Sequence, residues 1–320
     1  MTFNPYEMFH TILGAGGPVG KSLATALANL NKPVRMVSRQ PILTNNGQSW
    51  FKADLTIQEE VIDALEGSEV AYLTIGLPYS TKIWREYWPI VMKNVTTACL
   101  HHGVRLVFFD NIYALSPNHL NPITESSPLQ PCSKKGEIRA EVIRLLMEAV
   151  EKKGLMGLIA RSADFLTLEE NKGMIRPLLY DRMIKNQRAQ WICNAHVIHN
   201  FSYLPDLGKG TALLGTTPDV MQQVWNLPTD PTPMTGVDWI RMMAEEMPTS
   251  EKYTTISAGM IRFLGVFVPN MREMVEMLYQ YDRDYYFDSS KFNRYFKFIP
   301  TPPREAIQEM LKEIENPSTK

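Results

Sequence analysis

Apolar residues in the first half of the chain follow two alternating periods. Short, nearly continuous apolar runs at Met8–Leu13, Val34–Ser38, Trp50–Ala53, Val70–Ile75, Val104–Phe109 and Leu155–Ala160 predict strands. Between them, apolar residues three and four apart predict helices over Gly20–Leu30, Ile57–Leu65, Trp84–His101 and Glu137–Lys152. Strands separated by helices of that length imply right-handed βαβ crossovers. The expected class is therefore α/β, with a doubly wound parallel sheet of the Rossmann type.

The alternation fades in the second half. Phe165–Ala195 reads as irregular, with Gly173 and Pro177 as breakers, and Phe201–Leu214 contains the helix start Pro205-Asp206. Val224–Leu227 predicts a strand, and Pro231–Met247, Ala258–Gln280 and Pro303–Ile314 predict helices. The polar end Asn316–Lys320 reads as frayed. Two parts are expected: residues 1–165, with 196–216 packing back onto them, and a smaller, mostly helical part made of 166–195 and 217–320.

Composition narrows the partners. A 320-residue chain that is 44% hydrophobic and 21% charged can bury a substantial core. Its net charge of −1 gives a polyanion no global attraction, so nucleic acid is not expected as a partner. No apolar run reaches the length of a membrane span and no signal-peptide pattern opens the chain, so no membrane partner is expected either. Cys99, Cys132 and Cys193 are scattered and lack metal-ligand spacing, which points to a reducing, cytoplasmic setting. The six histidines form no metal-binding pattern, and His101-His102 reads as a helix end.

The run from Thr11 to Leu23 carries the chemistry. Gly14, Gly16, Gly17 and Gly20, with Ala15, Pro18 and Val19 among them, lie between a predicted strand and a predicted helix. Missing Cβ atoms permit a tight turn and close approach of a diphosphate, and the helix start offers it N–H groups. The plainer alternative is an ordinary glycine-rich connection. At the end of the second strand an acidic residue would select NAD; Ser38-Arg39 stands there instead, and a guanidinium suits the 2′-phosphate of NADP. Alternatively, Arg39 is a solvated loop residue. Asp54-Leu55 is placed either to meet an adenine or to cap the following helix.

These segments together resemble the extended short-chain dehydrogenase/reductase superfamily, in particular its atypical NAD-dependent epimerase/dehydratase-like members. The resemblance rests on Gly14-x-x-Gly17-x-x-Gly20, Ala53-Asp54-Leu55, Thr74-Ile75-Gly76, Arg161-Ser162-Ala163-Asp164-Phe165, Phe201–Asp206, and Asp288-Ser289-Ser290-Lys291 followed by Phe296. It implies an NAD(P)-binding Rossmann domain and a smaller substrate domain. It also implies cofactor contacts from Thr74, Ile75, Gly76, Asp110 and Ser162, and a substrate contact from Asp164, for which an ion pair with Arg161 is the structural alternative. Dimerisation through the helices at Trp84–His101 and Glu137–Lys152 is a further implication.

The chain departs from that pattern where the chemistry should be. The superfamily's Ser gives way to Asn111, and counting four back from Lys134 or Lys135 meets Gln130 or Pro131 instead of the Tyr of Tyr-x-x-x-Lys. Tyr113 is the nearest replacement acid/base, Lys134 or Lys135 the group for the nicotinamide ribose, and Asn111 the group to orient a carbonyl. Structural alternatives are a packed Tyr113, a solvated lysine and an Asn111 that caps its own loop. The aromatic cluster Tyr279, Tyr281, Tyr285-Tyr286-Phe287, Phe292, Tyr295 and Phe296 either lines a ring-binding cleft or packs as a hydrophobic seam. Two functions follow: an oxidoreductase or nucleotide-sugar epimerase/dehydratase acting on a small hydroxyl- or carbonyl-bearing molecule, or an NADP(H)-binding sensor that has lost catalysis.

Overall fold

The computed structural model of the chain describes residues 8–45 and 47–316. In chain order the elements are β1 Phe9–Leu13, α1 Pro18–Asn29, β2 Val34–Ser38, β3 Gln48–Lys52, α2 Gln58–Leu65, β4 Ser68–Leu73, α3 Thr81–His102, β5 Arg105–Asp110, α4 Lys134–Lys153 and β6 Gly157–Arg161. They continue with β7 Asp164–Leu166, a π-type turn over Arg176–Tyr180 running into α5 Asp181–Met183, β8 Ala189–Ile192, β9 Phe201–Tyr203, α6 Leu204–Thr216 and β10 Val224–Asn226. The last are α7 Gly236–Glu246, β11 Tyr253–Ile256, α8 Ala258–Leu264, α9 Pro269–Val275, α10 Ser290–Phe296 and α11 Pro303–Glu315.

The chain divides into two compact units. The first comprises the described residues up to Ala114, with Lys134–Ser162 and Leu207–Leu227. It holds a seven-stranded sheet in the order β10-β6-β5-β4-β1-β2-β3, all its pairs parallel. This is the Rossmann arrangement, and its strand order reverses between β1 and β4. Leu13, Leu73 and Phe108 from the sheet pack against Trp88, Val91 and Val95 of α3 and Ile143 and Leu146 of α4, all buried. No helix of the described residues is long and apolar enough to cross a membrane.

The second unit comprises Leu115–Ser133, Ala163–Asp206 and the described residues from Pro228 onward. Two small parallel sheets, β8 with β11 and β7 with β9, share a core with Trp239, Ile240 and Met243 of α7 and Ile307 and Met310 of α11. The segment 115–133 groups here, and 217–227 with the first unit, which the sequence pattern does not show. Hydrogen bonds from Ile123 N to Tyr286 O (2.7 Å) and from Asp288 N to Ile123 O (3.0 Å) stitch the one in place. Pairing of β10 with β6 holds the other.

Several expected elements differ for local reasons. The single helix expected over Ala258–Gln280 is two, α8 and α9, followed by a 3₁₀ turn at Leu278–Gln280. Pro269 has no N–H to continue α8, and at Gly265 an added Cβ would lie 3.1 Å from Arg272 Cα. The helix expected from Pro231 starts at Gly236, where Thr235 and Asp238 form a capping box. Phe165–Ala195, expected to be irregular, contains β8 and most of β7. β11 and α10 lie where no element was expected. α4 begins at Lys134 rather than Glu137, and β4 ends at Leu73 rather than Ile75; both shifts bear on the site below. The end expected to fray lies, from residue 317, outside the described residues.

His10 of β1 is fully buried, and its Nδ1 lies 2.8 Å from the Tyr72 hydroxyl. Burial lowers its pKa to about 4, although Glu69 pulls the other way. The folded protein therefore keeps this ring neutral down to about pH 4, while the unfolded chain protonates it from pH 6.5 downward. Its contribution is fully present above pH 6.5 and is lost as the pH falls toward 4, by about 3 kcal/mol. Urea titrations across that window should show this slope, and His10→Gln, which cannot titrate, should lose it.

Candidate functional site

The glycine turn lies at the strand-order reversal of the first unit. Gly14 has φ +92°, and its N–H and that of Ala15 each donate to Val37 O at 3.1 Å. A Cβ on Gly14 would stand 2.5 Å from Ile75 Cα, and one on Gly20 would stand 2.7 Å from Ala15 Cα. These two glycines are thus required by the backbone itself. Gly16 is different: it is exposed, and an added Cβ would meet only Ile42 Cδ1, at 3.8 Å. Gly17 is the N-cap of α1 and Pro18 opens it, with no side chain capping the helix. Amides at that end, Val19 and Gly20 included, lie in the first turn, where helices lack internal acceptors.

Around the turn stand the other expected contacts. Thr74 donates from its N–H to Leu13 O at 2.9 Å, tying the end of β4 to that of β1. Ile75 packs under Gly14, and Gly76 is exposed with nothing within 4 Å of an added Cβ. Ser38 donates to Gln40 O (2.5 Å) and accepts from Trp50 Nε1 (3.0 Å), so its hydroxyl holds the loop after β2. Arg39 is exposed beside it. Asp54 accepts from Thr56 N and Oγ1 at 2.9 and 2.7 Å, closing a turn before α2. The N-cap of α2 is Ile57, with no side-chain cap, so Asp54 does not cap that helix as the alternative had it. Its burial favours the neutral acid, but the Thr56 hydrogen bonds and the charge of Arg39 outweigh this and hold the carboxyl below its usual range. Leu55 is buried, and its carbonyl accepts from Asn94 Nδ2 at 3.1 Å.

Next to this edge the sheet carries an ion pair that the sequence reading missed. Arg139 donates from Nε to Asp110 Oδ1 at 2.9 Å, and Nη2 bonds the same oxygen. Both side chains are buried, and the guanidinium carbon lies 4.3 Å from the Trp88 ring centre and 4.7 Å from that of Phe108. Lys135, one turn earlier on α4, is 0% exposed, with Nζ 4.5 Å from the centre of the Tyr79 ring. Lys134 is exposed. Since α4 starts at Lys134, Gln130 and Pro131 precede the helix, and the i,i+4 pair on its inner face is Lys135 with Arg139. One signal was available: two cations on a stripe otherwise made of Ile138, Val142, Ile143 and Leu146.

The remaining expected residues have structural duties. Asn111 Oδ1 accepts from Tyr113 N at 3.0 Å, capping its own loop. The Tyr113 ring stacks on Trp84, centroids 6.1 Å apart and 18° from parallel. Ser162 donates from its backbone to Asp110 O at 3.0 Å. In the second unit Asp164 Oδ2 accepts from the Tyr281 hydroxyl (2.9 Å) and lies 3.0 Å from His199 Nε2. His199 is buried and nearly parallel to the rings of Tyr281 and Tyr285 on its two faces, at 4.7 and 4.6 Å. Tyr281, Tyr285, Phe287 and Phe292 of the aromatic cluster are buried, whereas Tyr295 is exposed. Burial raises the thiol pKa of Cys99, Cys132 and Cys193 alike.

The fold and the turn define a fold class, a Rossmann-type parallel sheet with a glycine turn at its strand-order reversal. The sequence matches no family model and no curated protein. The structure is similar to UDP-N-acetylglucosamine 4-epimerase from Bacillus cereus, with a TM-score of 0.75, 16% identity and coverage of 95% of this chain and 98% of that one. For dTDP-glucose 4,6-dehydratase from Bacillus anthracis, solved with NAD, the values are 0.77, 12%, 97% and 97%. UDP-glucose 4-epimerase from Thermus thermophilus, also solved with NAD, gives 0.74, 15%, 96% and 99%. At such identities the likeness establishes the fold; the chemistry must be argued from this chain's own residues.

Proposed function

We propose that the first unit binds a nicotinamide dinucleotide. The chain would then be an NAD(P)-dependent oxidoreductase of the nucleotide-sugar epimerase or dehydratase kind, acting on a small hydroxyl- or carbonyl-bearing substrate. One observation carries the cofactor half of this reading: Gly14 and Gly20 are demanded by backbone contacts, whereas Gly16 is bare for no reason internal to the fold. A diphosphate against an uncapped helix start needs such a bare position. Solved proteins of this fold hold NAD. In this reading Gly14 to Gly20 hold the diphosphate, Ser38 and Arg39 the adenosine ribose, and Asp54 and Leu55 the adenine. Thr74, Ile75, Gly76, Asp110 and Ser162 line the rest, and Asp164 is the candidate for a substrate contact.

Arg39 favours NADP over NAD, because an exposed guanidinium at the end of β2 can pair with a 2′-phosphate. Arg39→Ala should weaken NADP+ binding roughly tenfold or more and leave NAD+ within about twofold, as calorimetry would show. Equal losses for both would remove the 2′-phosphate assignment.

When bound, the nicotinamide takes up or returns a hydride at its ring. The chain must supply the proton that accompanies it. Tyr113 is the candidate for that task, with Asn111 to orient a carbonyl; Lys135, enclosed beside Tyr79, or the exposed Lys134 would hold the nicotinamide ribose. In the reducing direction the Tyr113 hydroxyl would give a proton to the carbonyl oxygen; in the oxidising direction the same oxygen would take the proton from the substrate hydroxyl. The loop cap made by Asn111 and the stacking of Tyr113 on Trp84 favour a second reading, an NADP(H)-binding sensor without turnover. NADPH oxidation over a panel of aldehydes, ketones and nucleotide sugars separates the two. The enzyme reading expects turnover that Tyr113→Phe lowers by about two orders of magnitude with NADPH still bound. A wild type inert across the panel while binding NADPH supports the sensor.

A further inference from the structure

The hairpin formed by α8 and α9 presents an apolar surface that neither the fold nor the proposed function uses. Met260, Phe263, Leu264, Val266, Phe267 and Val268 are all exposed, Phe263 at 66% and Phe267 at 70%. No other stretch of similar length among the described residues exposes as many large apolar side chains. A patch of this kind costs solubility unless it is covered. The tip is firmly built. Arg272 donates from Nε to Gly265 O at 3.0 Å and from Nη2 to Val266 O at 3.2 Å. Phe263 and Phe267 meet edge to face at 5.7 Å. On the inner side Ile261 is buried in the core of the second unit, with Met271, Met274 and Val275 packed against it. The hairpin is thus anchored by one face and shows the other.

Charge selects the occupant. Between Glu251 and Glu273 the chain carries Lys252, Arg262 and Arg272 and no acidic residue, although its net charge is −1. Glu251 lies 3.6 Å from Arg241 Nε, which offsets its charge, and Glu273 is half-buried. A second copy seated on the same patch by a two-fold axis would bring these cations against their own duplicates. Anionic lipid headgroups satisfy the cations while the aromatic and aliphatic side chains enter the acyl boundary. We propose that the α8–α9 hairpin docks this protein on an anionic membrane surface, with Phe263 and Phe267 inserted and Arg262 paired with headgroups. Periodicity searches for spanning segments miss such a device, because it is short and lies in the interface.

Vesicle flotation tests this at about 0.15 M salt. The full chain is mixed with vesicles of phosphatidylcholine alone, or with roughly one lipid in three replaced by phosphatidylglycerol. Wild type should float with the anionic vesicles and stay behind with the neutral ones. F263S/F267S and, independently, R262E should each lower the floated fraction about tenfold while melting as wild type does, since these side chains are exposed. Wild type that stays in the buffer with both vesicles overturns the proposal, and so do variants that float as wild type does. A dimer that F263S/F267S splits, with no flotation by either protein, also overturns it and assigns the patch to a second copy.

Discussion

Asp110→Ala should destabilise the protein by about 3–5 kcal/mol, because it leaves the buried Arg139 guanidinium without its counter-charge. For a unit of this size that corresponds to a melting temperature lower by roughly 10 °C. The cause is desolvation rather than the loss of an attraction. The buried Arg139 lies against the rings of both Trp88 and Phe108, where water cannot replace the carboxylate. The double variant Asp110→Ala/Arg139→Met removes the stranded charge along with its partner. It should recover much of the loss, so that the two single effects do not add. Calorimetric scans of the four proteins check this; strictly additive losses would show that the pair is not coupled. The same substitution loosens the start of α4, on which Lys135 sits, so it should lower any turnover as well.

The second large effect separates two glycines two residues apart. Gly14→Ala forces a Cβ into the backbone of Ile75 at φ +92° and should cost about 3 kcal/mol or more, seen as aggregation or a much lower melting temperature. Gly16→Ala meets only the end of the Ile42 side chain and should melt within about 1 kcal/mol of wild type. Yet the new methyl stands where a diphosphate would approach the turn, so dinucleotide affinity should fall roughly tenfold to hundredfold, about 1.4–2.7 kcal/mol. One glycine serves the chain, the other the ligand.

Sequence and structure agree best where local rules suffice. The strands and helices of the first unit follow from apolar periodicity alone, as does the glycine turn between β1 and α1. Features set by distant pairs were not legible. β10 joins the sheet through β6, more than sixty residues earlier in sequence, and nothing in Val224–Leu227 names that partner. His199 finds Asp164 across 35 residues, and Tyr281 reaches the same carboxylate across 117. The Lys135–Arg139 pair was hidden differently. Its spacing is in plain view, but with the helix expected over Glu137–Lys152 Lys135 falls outside it. The start at Lys134 makes the forward count the relevant one. Tertiary burial, not spacing, then distinguishes Lys135 from Lys134.

The central claim is that the turn at Gly14–Gly20 is a dinucleotide cradle, and titration calorimetry of NADP+ and NAD+ into wild type and Gly16→Ala tests it most directly. The expected result is saturable binding to wild type, lost or weakened at least roughly tenfold in a Gly16→Ala protein of unchanged melting temperature. No binding of either dinucleotide by a folded wild type, or equal binding by both proteins, would contradict it.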